Sequence, residues 1–295
     1  MTRNVTEGTF VAITTPFQDD VQQIDHDQLA SDARRLVDAG VDGIVPAGST
    51  GEAATLTHDE HVDVVETVVD AVDVPVIAGA GSNSTHEAVS LSQRAADAGA
   101  DALLHISPYY NKPEPAGMER HFRRVADEVD LPQIVYNVPS RTGRSIDPDT
   151  TVALASHPNI VGYKAASGDL GLMSEIIERT RDEEFDVLSG DDGVTLPLVS
   201  IGGTGVISVA ANVEPARMSA LVDAALDDDV ADARERHHEL GPLFRALFAE
   251  TNPIPVKEAM DVWGHGPAEL RDPLSRATAE TRERLQAVHA DLGGE

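Results

Sequence analysis

Lysine is almost absent from this chain, and one of its three lysines, Lys164, stands inside an apolar stretch, NIVGYKAA (159–166). A desolvated ε-amine has a lowered pKa and can attack a carbonyl carbon to form a Schiff base, which arginine cannot do. A lysine at a strand end can also reach solvent or pair with a carboxylate. Because lysine is depleted elsewhere in the chain, a nucleophilic role for Lys164 is as well supported as this structural role.

A Schiff-base lysine needs a group that moves protons, and Tyr136 is the candidate. It lies in PQIVYNVP (132–139), the apolar run that precedes the run containing Lys164. If the two runs form adjacent parallel strands, the phenol lies near the amine and can relay protons. Packing with a single hydrogen bond is the alternative role for this tyrosine.

Two further segments are suited to binding carboxylates. GSTGE (48–52) offers the hydroxyls of Ser49 and Thr50 together with backbone N–H groups, although such a segment is also common in ordinary turns. Arg141 could hold a carboxylate through two hydrogen bonds or form a surface ion pair. Together with the amine and the phenol, these groups predict a site where a keto acid reacts with a second, acid-bearing molecule.

Eight short β-rich runs, separated by amphipathic helical segments, would position these groups. The runs cover 9–16, 42–48, 74–81, 101–108, 132–139, 159–166, 185–191 and 203–210. Most are continuously apolar, which is typical of parallel strands covered on both faces. This alternation predicts an α/β fold, a (β/α)₈ barrel over residues 1–213, with a C-terminal helical region (214–295) packed on it. In such barrels the functional groups lie at the carboxyl ends of the strands.

An open, doubly wound sheet is the alternative fold. Such sheets usually have fewer strands and a glycine-rich first turn. The only candidate turn, GAGSNS (79–84), lacks the third glycine of a dinucleotide-binding turn, and no P-loop sequence is present.

Local signals mark several helix ends. THDE (57–60) and STHE (84–87) match the capping-box pattern at a helix start. Gly40 and Gly99 follow amphipathic segments and predict left-handed helix stops.

The composition excludes several classes of partner. The chain carries 22 Lys and Arg against 51 Asp and Glu, a formal charge of −29, which argues against nucleic acid and anionic membranes as partners. Such acidity is typical of a halophilic protein with a solvated, self-repelling surface. Cysteine is absent, so disulfides and thiolate chemistry are excluded. No apolar run has the length of a membrane span and no signal peptide is recognisable, so we expect a cytoplasmic protein.

The sequence resembles the dihydrodipicolinate synthase family, within the pyruvate-dependent class I aldolase superfamily, almost from end to end. The resemblance rests on VAITTPF, GSTGEAATLTHDEH, PVIAGAGSN, SPYYNKP, LPQIVYNVPSRTG, GYKAASGDL, LSGDD, GVISVAANV and NPIPVKEAM. Of these, YNVPSRTG (136–143) is the most specific, because the lyase branches of the superfamily usually vary at its arginine.

The resemblance implies a role for each candidate residue. Lys164 would form the Schiff base with pyruvate, and Tyr136 would be the centre of a proton relay, linked through Thr50 to Tyr110 of a neighbouring subunit. The implied substrate-binding residues are Ser49 and Thr50 for the pyruvate carboxylate, Arg141 for the carboxylate of L-aspartate 4-semialdehyde, and Gly190 and Ile207 through their backbones.

The implied reaction is an aldol condensation of pyruvate with L-aspartate 4-semialdehyde, the first committed step of lysine (diaminopimelate) biosynthesis. The resemblance implies no cofactor beyond the covalent substrate adduct, no metal, and a homotetramer built from two dimers. It also implies a lysine-inhibition site at Ala53, His58, His61, Asn83, Glu87 and Tyr109. Alternatively, Glu87 completes a capping box with Ser84 and the two histidines only decorate a helix.

Two positions depart from the family pattern. Ser49 stands where synthases more often have threonine, a form common among the related sialic-acid lyases. Ala165 replaces a glutamate, and it should point away from Lys164 because successive strand residues face opposite sides. A lyase that cleaves 2-keto-3-deoxy sugar acids therefore remains an alternative function, and a non-catalytic keto-acid-binding protein is an alternative from another class.

Overall fold

Eight parallel strands form the centre of the computed structural model, which describes residues 5–18 and 21–294. The strands are β1 (Gly8–Ala12), β2 (Gly43–Val45), β3 (Ile77–Gly79), β4 (Ala102–Ile106), β5 (Gln133–Asn137), β6 (Ile160–Ala165), β7 (Asp186–Ser189) and β8 (Gly205–Ser208). Seven of them lie within a predicted run, and β1 begins one residue before its run (9–16); each strand is shorter than its run.

The sheet closes on itself. Its order is β2-β1-β8-β7-β6-β5-β4-β3, and a parallel bridge between Ile44 and Val76 joins the two outer strands. The predicted (β/α)₈ barrel is confirmed, and the open-sheet alternative is wrong for this chain. Closure brings the carboxyl ends of all eight strands to one rim.

The helices form an outer layer and a C-terminal cluster. They are α1 (His26–Asp38), α2 (His58–Ala71), α3 (Thr85–Asp97), α4 (Pro115–Glu128), α5 (Pro139–Thr142), α6 (Pro148–Ala155), α7 (Leu170–Thr180), α8 (Thr195–Val199), α9 (Pro215–Leu226), α10 (Val230–Leu247), α11 (Ile254–Val262) and α12 (Ala279–Asp291). Gly40 and Gly99 follow α1 and α3 with φ of +93° and +92°, as predicted for left-handed helix stops.

Apolar side chains pack in two concentric shells. The inner shell fills the barrel with residues such as Phe10, Ile77 and Leu188. The outer shell lies between strands and helices and continues without a break into the C-terminal helices, where Leu240 and Leu285 belong to the same buried cluster as Val11 of β1. The C-terminal helices are therefore packed on the barrel, while a domain boundary at residue 213 stays a prediction.

The two predicted capping boxes have different outcomes. At the start of α2, Thr57 accepts from the Glu60 backbone N–H and the Glu60 carboxylate accepts from the Thr57 N–H, so this capping box is confirmed. At the start of α3, Ser84 accepts from the Glu87 N–H, but the Glu87 carboxylate bonds to Ser82 instead. The serine hydrogen bond of the second predicted box is therefore confirmed, whereas its glutamate hydrogen bond is wrong, because the Ser82 hydroxyl donates to the Glu87 carboxylate instead.

Candidate active site

Lys164 and Tyr136 lie side by side inside the barrel. They are paired in register on β6 and β5, and the lysine Nζ is 4.3 Å from the centroid of the tyrosine ring. Only 6% of Lys164 and 8% of Tyr136 is exposed. The amine and the phenol therefore share one desolvated space.

The pKa of Lys164 is lowered to about 7, chiefly by burial and also by the nearby charge of Arg141, against the opposing effect of the Asp192 carboxylate. An ordinary lysine titrates above pH 10 and is almost fully charged at neutrality. The shift leaves a large neutral fraction of Lys164 near pH 7, and the neutral amine is the nucleophilic form.

The phenol of Tyr136 has the opposite shift. Burial raises its pKa to about 12, although the charge of Arg141 favours the phenolate. The hydroxyl is thus protonated at neutral pH and can donate a proton, but it needs hydrogen-bond donors around it to accept a negative charge.

Gly190 leaves room for the lysine. A methyl group built on Gly190 would lie 2.9 Å from the Cε of Lys164 and 3.0 Å from its Cγ. The Gly190 N–H donates to the carbonyl of Ala165 at 2.7 Å, so the backbone cannot simply move away. Ile207 of β8 is fully buried in the inner shell that also contains Tyr136.

Ala165 faces away from this site. It is fully buried in the outer shell with Tyr163 and Met173, whereas Lys164 contacts the inner-facing ring of Tyr136. The expected opposite orientation of the two neighbours is found, because the pleat alternates side chains between the two faces.

The GSTGE loop places two hydroxyls at the end of β2. Thr50 is buried, and its Oγ1 accepts a hydrogen bond from the Nδ2 of Asn252 at 2.9 Å. Ser49 is half-buried. The Thr15 hydroxyl donates to the carbonyl of Gly51 at 2.7 Å, which ties the loop to the chain after β1.

Arg141 lies on α5 and is exposed. Its Nη2 donates to the carbonyl of Asn252 at 2.5 Å, which leaves other N–H groups of the guanidinium for a carboxylate. Since its charge lowers the pKa of Lys164, the guanidinium acts on the same site as the amine.

Tyr110 is far more exposed to solvent than Lys164 and Tyr136. It lies on the loop after β4, is 90% exposed and has a φ of +66°. Within one chain the phenol is thus not buried with Thr50 and Tyr136. Tyr109 beside it is 39% exposed.

Three features of the site were missed in the sequence. Asp192, in LSGDD, is buried and accepts hydrogen bonds from the Ser208 hydroxyl and two backbone N–H groups. Burial raises its pKa to about 6. Asn252 bonds to the loop and to the arginine as described above, and Lys257 forms a buried ion pair with Glu52. LSGDD and NPIPVKEAM were noted only as segments of resemblance.

Of the six residues predicted to form a lysine-inhibition site, His58 and Glu87 are in direct contact. His58 Nε2 lies 3.0 Å from Glu87 Oε1, so this histidine bridges α2 and α3. His61 Nε2 donates to the Gly79 carbonyl at 2.5 Å, and burial lowers its pKa. The backbone carbonyl of Asn83 accepts a hydrogen bond from the side-chain amide of Asn111, two residues after Tyr109 on the loop after β4. Ala53 begins a single helical turn (Ala53–Thr55) that precedes α2 in the chain.

Residues 5–18 and 21–294 lack two kinds of feature. They contain no cluster of three or more His, Asp or Glu side chains arranged to hold a metal ion. None of their helices is long and apolar enough to cross a membrane.

The chain is similar in sequence to proteins from two organisms. It is 65% identical to the 4-hydroxy-tetrahydrodipicolinate synthase of Haloarcula marismortui, over 97% of this chain and 93% of that protein. It is 64% identical to the protein of the same name from Natronomonas pharaonis, over 99% of each chain.

Solved structures and a family model agree with this similarity. The dihydrodipicolinate synthase of Aquifex aeolicus superimposes with a TM-score of 0.94 at 45% identity, covering 97% of this chain and 98% of that one. The model of the dihydrodipicolinate synthetase family matches residues 5–291. The chain therefore belongs to the dihydrodipicolinate synthetase family.

Proposed function

We propose that this chain acts as a 4-hydroxy-tetrahydrodipicolinate synthase, a lyase of the Schiff-base class I aldolase type. It condenses pyruvate with L-aspartate 4-semialdehyde, the first committed step of lysine biosynthesis through diaminopimelate. The observation that carries the proposal is the buried Lys164 amine beside Tyr136, with a pKa of about 7. The function of relatives at 64% and 65% identity supports the choice of substrates.

The reaction begins with addition of the neutral Lys164 amine to the ketone carbon of pyruvate. Tyr136 donates a proton to the leaving hydroxide, water departs, and a protonated Schiff base remains. The Tyr136 phenolate then takes a proton from the methyl carbon, which gives an enamine and restores the phenol. This carbon then bonds to the aldehyde carbon of the second substrate, whose oxygen takes up the proton of the Tyr136 phenol.

Release of the product needs no external reagent. The amino group of the bound aspartate semialdehyde attacks the Schiff-base carbon, closes the ring and displaces the lysine amine. The products are the cyclic hydroxy-tetrahydrodipicolinate and free Lys164. No cofactor is required by these steps, because the only covalent partner of the enzyme is its substrate.

The remaining candidates hold the substrates. Ser49 and Thr50 bind the pyruvate carboxylate with hydroxyl and backbone N–H groups, Gly190 and Ile207 present backbone groups, and Arg141 binds the carboxylate of the aldehyde. Thr50 connects Tyr136 to Tyr110 of a neighbouring subunit. The 90% exposure of Tyr110 supports this assignment, since an exposed aromatic ring is suited to burial against a partner.

A homotetramer of two dimers and a cytoplasmic location remain predictions. The cluster of His58, Glu87 and Asn83 is proposed as a site for free lysine. A carboxylate and a backbone carbonyl suit the ammonium groups of that ligand.

The sugar-acid lyase is the second candidate, favoured only by Ser49. Its substrates carry hydroxyl groups, and an arginine for a short carboxylate has no use there. The synthase therefore explains Arg141 and the lyase does not.

Borohydride trapping followed by a product assay tests the proposal. Reduction with pyruvate should add three carbons at Lys164 alone, and the adduct should be absent in Lys164→Ala and retained in Lys112→Ala, which changes an exposed lysine. Peptide mapping is unambiguous because the chain has three lysines. The wild-type chain should then consume L-aspartate 4-semialdehyde. Sugar-acid cleavage without synthase activity would identify the chain as a sugar-acid lyase. An adduct with no turnover of either substrate would identify it as a keto-acid-binding protein.

A further inference from the structure

Asn252, which lies just before α11 in the C-terminal helical region, contacts two of the proposed site residues at once. Its side-chain Nδ2 donates to Thr50 Oγ1 at 2.9 Å, and its backbone carbonyl accepts from Arg141 Nη2 at 2.5 Å. The residue is 8% exposed and Thr50 is buried, so the hydrogen bond between their side chains is shielded from water. One residue therefore joins the groups assigned to the proton relay and to the second substrate.

A buried ion pair holds Asn252 in place against the GSTGE loop. Lys257, one turn into α11, pairs with the Glu52 carboxylate, and both side chains are almost completely buried. The lysine also donates to the carbonyl of Glu269 at 2.6 Å and lies 4.2 Å from the ring centroid of Phe17. A charged pair with further partners at fixed positions restricts the geometry of both segments.

The chemistry of the amide determines the direction of the Thr50 hydrogen bond. An amide NH₂ group only donates, so the Thr50 oxygen accepts from it and keeps its own proton for another group. The Oδ1 of Asn252 has no hydrogen-bond partner among the described residues. The side-chain amide therefore contacts the site only through its NH₂ group, which donates to Thr50. Donation to Thr50 also polarises its O–H bond and strengthens the bond that this hydroxyl donates onward.

We propose that Asn252 is a positioning residue, which orients the Thr50 hydroxyl as a donor to Tyr136 through its side chain and anchors Arg141 through its backbone. This inference rests on the proposed function. The side chain and the backbone of Asn252 thus have separate roles, which substitution can distinguish. Replacing the side chain removes the Thr50 contact but keeps the carbonyl that Arg141 uses.

Steady-state kinetics of Asn252→Ala and Asn252→Asp test the inference. We expect kcat to fall by roughly tenfold to 100-fold in both, with the KM for L-aspartate 4-semialdehyde nearly unchanged. The matched control is Asn159→Ala, whose amide donates to the Ala126 carbonyl at the opposite end of β6, and it should keep the wild-type kcat. The borohydride adduct at Lys164 and the melting temperature establish that each variant is folded.

The pH profile of Asn252→Asp separates positioning from a purely structural role. A carboxylate at this position accepts the Thr50 proton and reverses the bond, whereas a protonated carboxyl group donates as the amide does. The ratio of variant to wild-type kcat should therefore rise as pH falls. A ratio that does not depend on pH, or a variant with wild-type kcat, would overturn the inference.

A double-mutant cycle with Thr50→Val completes the test. Once the hydroxyl is gone, Asn252→Ala should cause no further loss of kcat, since the two residues act as a unit. Losses that multiply would overturn the proposed coupling. An inactive wild-type chain would overturn both this inference and the proposed function, whereas an active wild type with unaffected variants would overturn this inference alone.

Discussion

Lys164 and Tyr136 face each other across β6 and β5 in register, with the lysine Nζ 4.3 Å from the tyrosine ring. The ring excludes water from one side of the amine while its face offers partial negative charge. That charge favours the ammonium form, but desolvation of the buried amine outweighs it and lowers the pKa to about 7. Two residues 28 positions apart in the printed sequence thus create one reactive group.

The first prediction concerns pH. Below its pKa of about 7 Lys164 is protonated and cannot attack pyruvate. We expect kcat/KM for pyruvate to fall about tenfold per pH unit below pH 7 and to level off above it. Initial rates between pH 5.5 and 9, converted to kcat/KM, measure the profile. A profile that still rises up to pH 10 would mean that the amine has an ordinary pKa.

Gly190→Ala should impair activity much more than stability. The added methyl group would meet Lys164 Cε at 2.9 Å and push the amine out of line, so we expect a loss of about tenfold to 100-fold in kcat/KM. The matched control is Gly241→Ala within α10, where the methyl group meets only the flexible end of Arg245. The control should keep full activity, because Gly241 lies on α10 and not at the rim of the barrel.

Breaking the Glu52–Lys257 pair on one side should be more harmful than removing it altogether. Lys257→Met leaves a buried carboxylate without its cation, and we expect a loss of about 3–5 kcal/mol in the free energy of unfolding. Adding Glu52→Gln should recover much of this loss. Urea unfolding of the two variants measures the difference, and equal stability of the single and double variants would contradict the prediction.

Stability should also depend on salt, because the chain carries a formal charge of −29. At low ionic strength the carboxylates repel one another without screening, and the folded state concentrates this repulsion. We expect the melting temperature and the activity to rise between 0.1 and 2 M potassium chloride. No change over this range would show that the acidic surface does not limit stability.

Free lysine should bind near His58 and Glu87. Titration calorimetry with L-lysine at millimolar concentration should give heat, and Glu87→Ala should abolish it because the ammonium partner is lost. Asp59→Ala is a suitable control, since Asp59 lies on the same helix as His58 but pairs with Arg94. No heat with the wild-type chain would exclude the site.

Local patterns predicted the fold well. Apart from the first residue of β1, each strand falls inside an apolar run found in the sequence, and each of the stops at Gly40 and Gly99 adopts the left-handed conformation. These features depend on a residue and its near neighbours, through side-chain periodicity and backbone freedom. The exact strand ends could not be predicted, because they depend on where the barrel's hydrogen bonds stop.

Glu87 shows why a local pattern can fail. Its spacing from Ser84 is that of a capping box, yet its carboxylate bonds to Ser82 and lies beside His58 of another helix. A capping hydrogen bond contributes only about 1 kcal/mol. Two competing partners that the fold brings close are enough to redirect the side chain.

The sequence by itself determined the order of strands and helices, the identification of Lys164 as a candidate nucleophile and the residues that could bind carboxylates. All of these follow from residue types and short-range spacing. Only the tertiary structure decided the lowered pKa of Lys164, the carboxylate of Asp192 near it, and the contacts of Asn252 with Thr50 and Arg141. Thr50 and Asn252 are separated by 202 positions. Desolvation and hydrogen bonding depend on which groups meet in space, and barrel closure together with the packing of α11 determines that meeting.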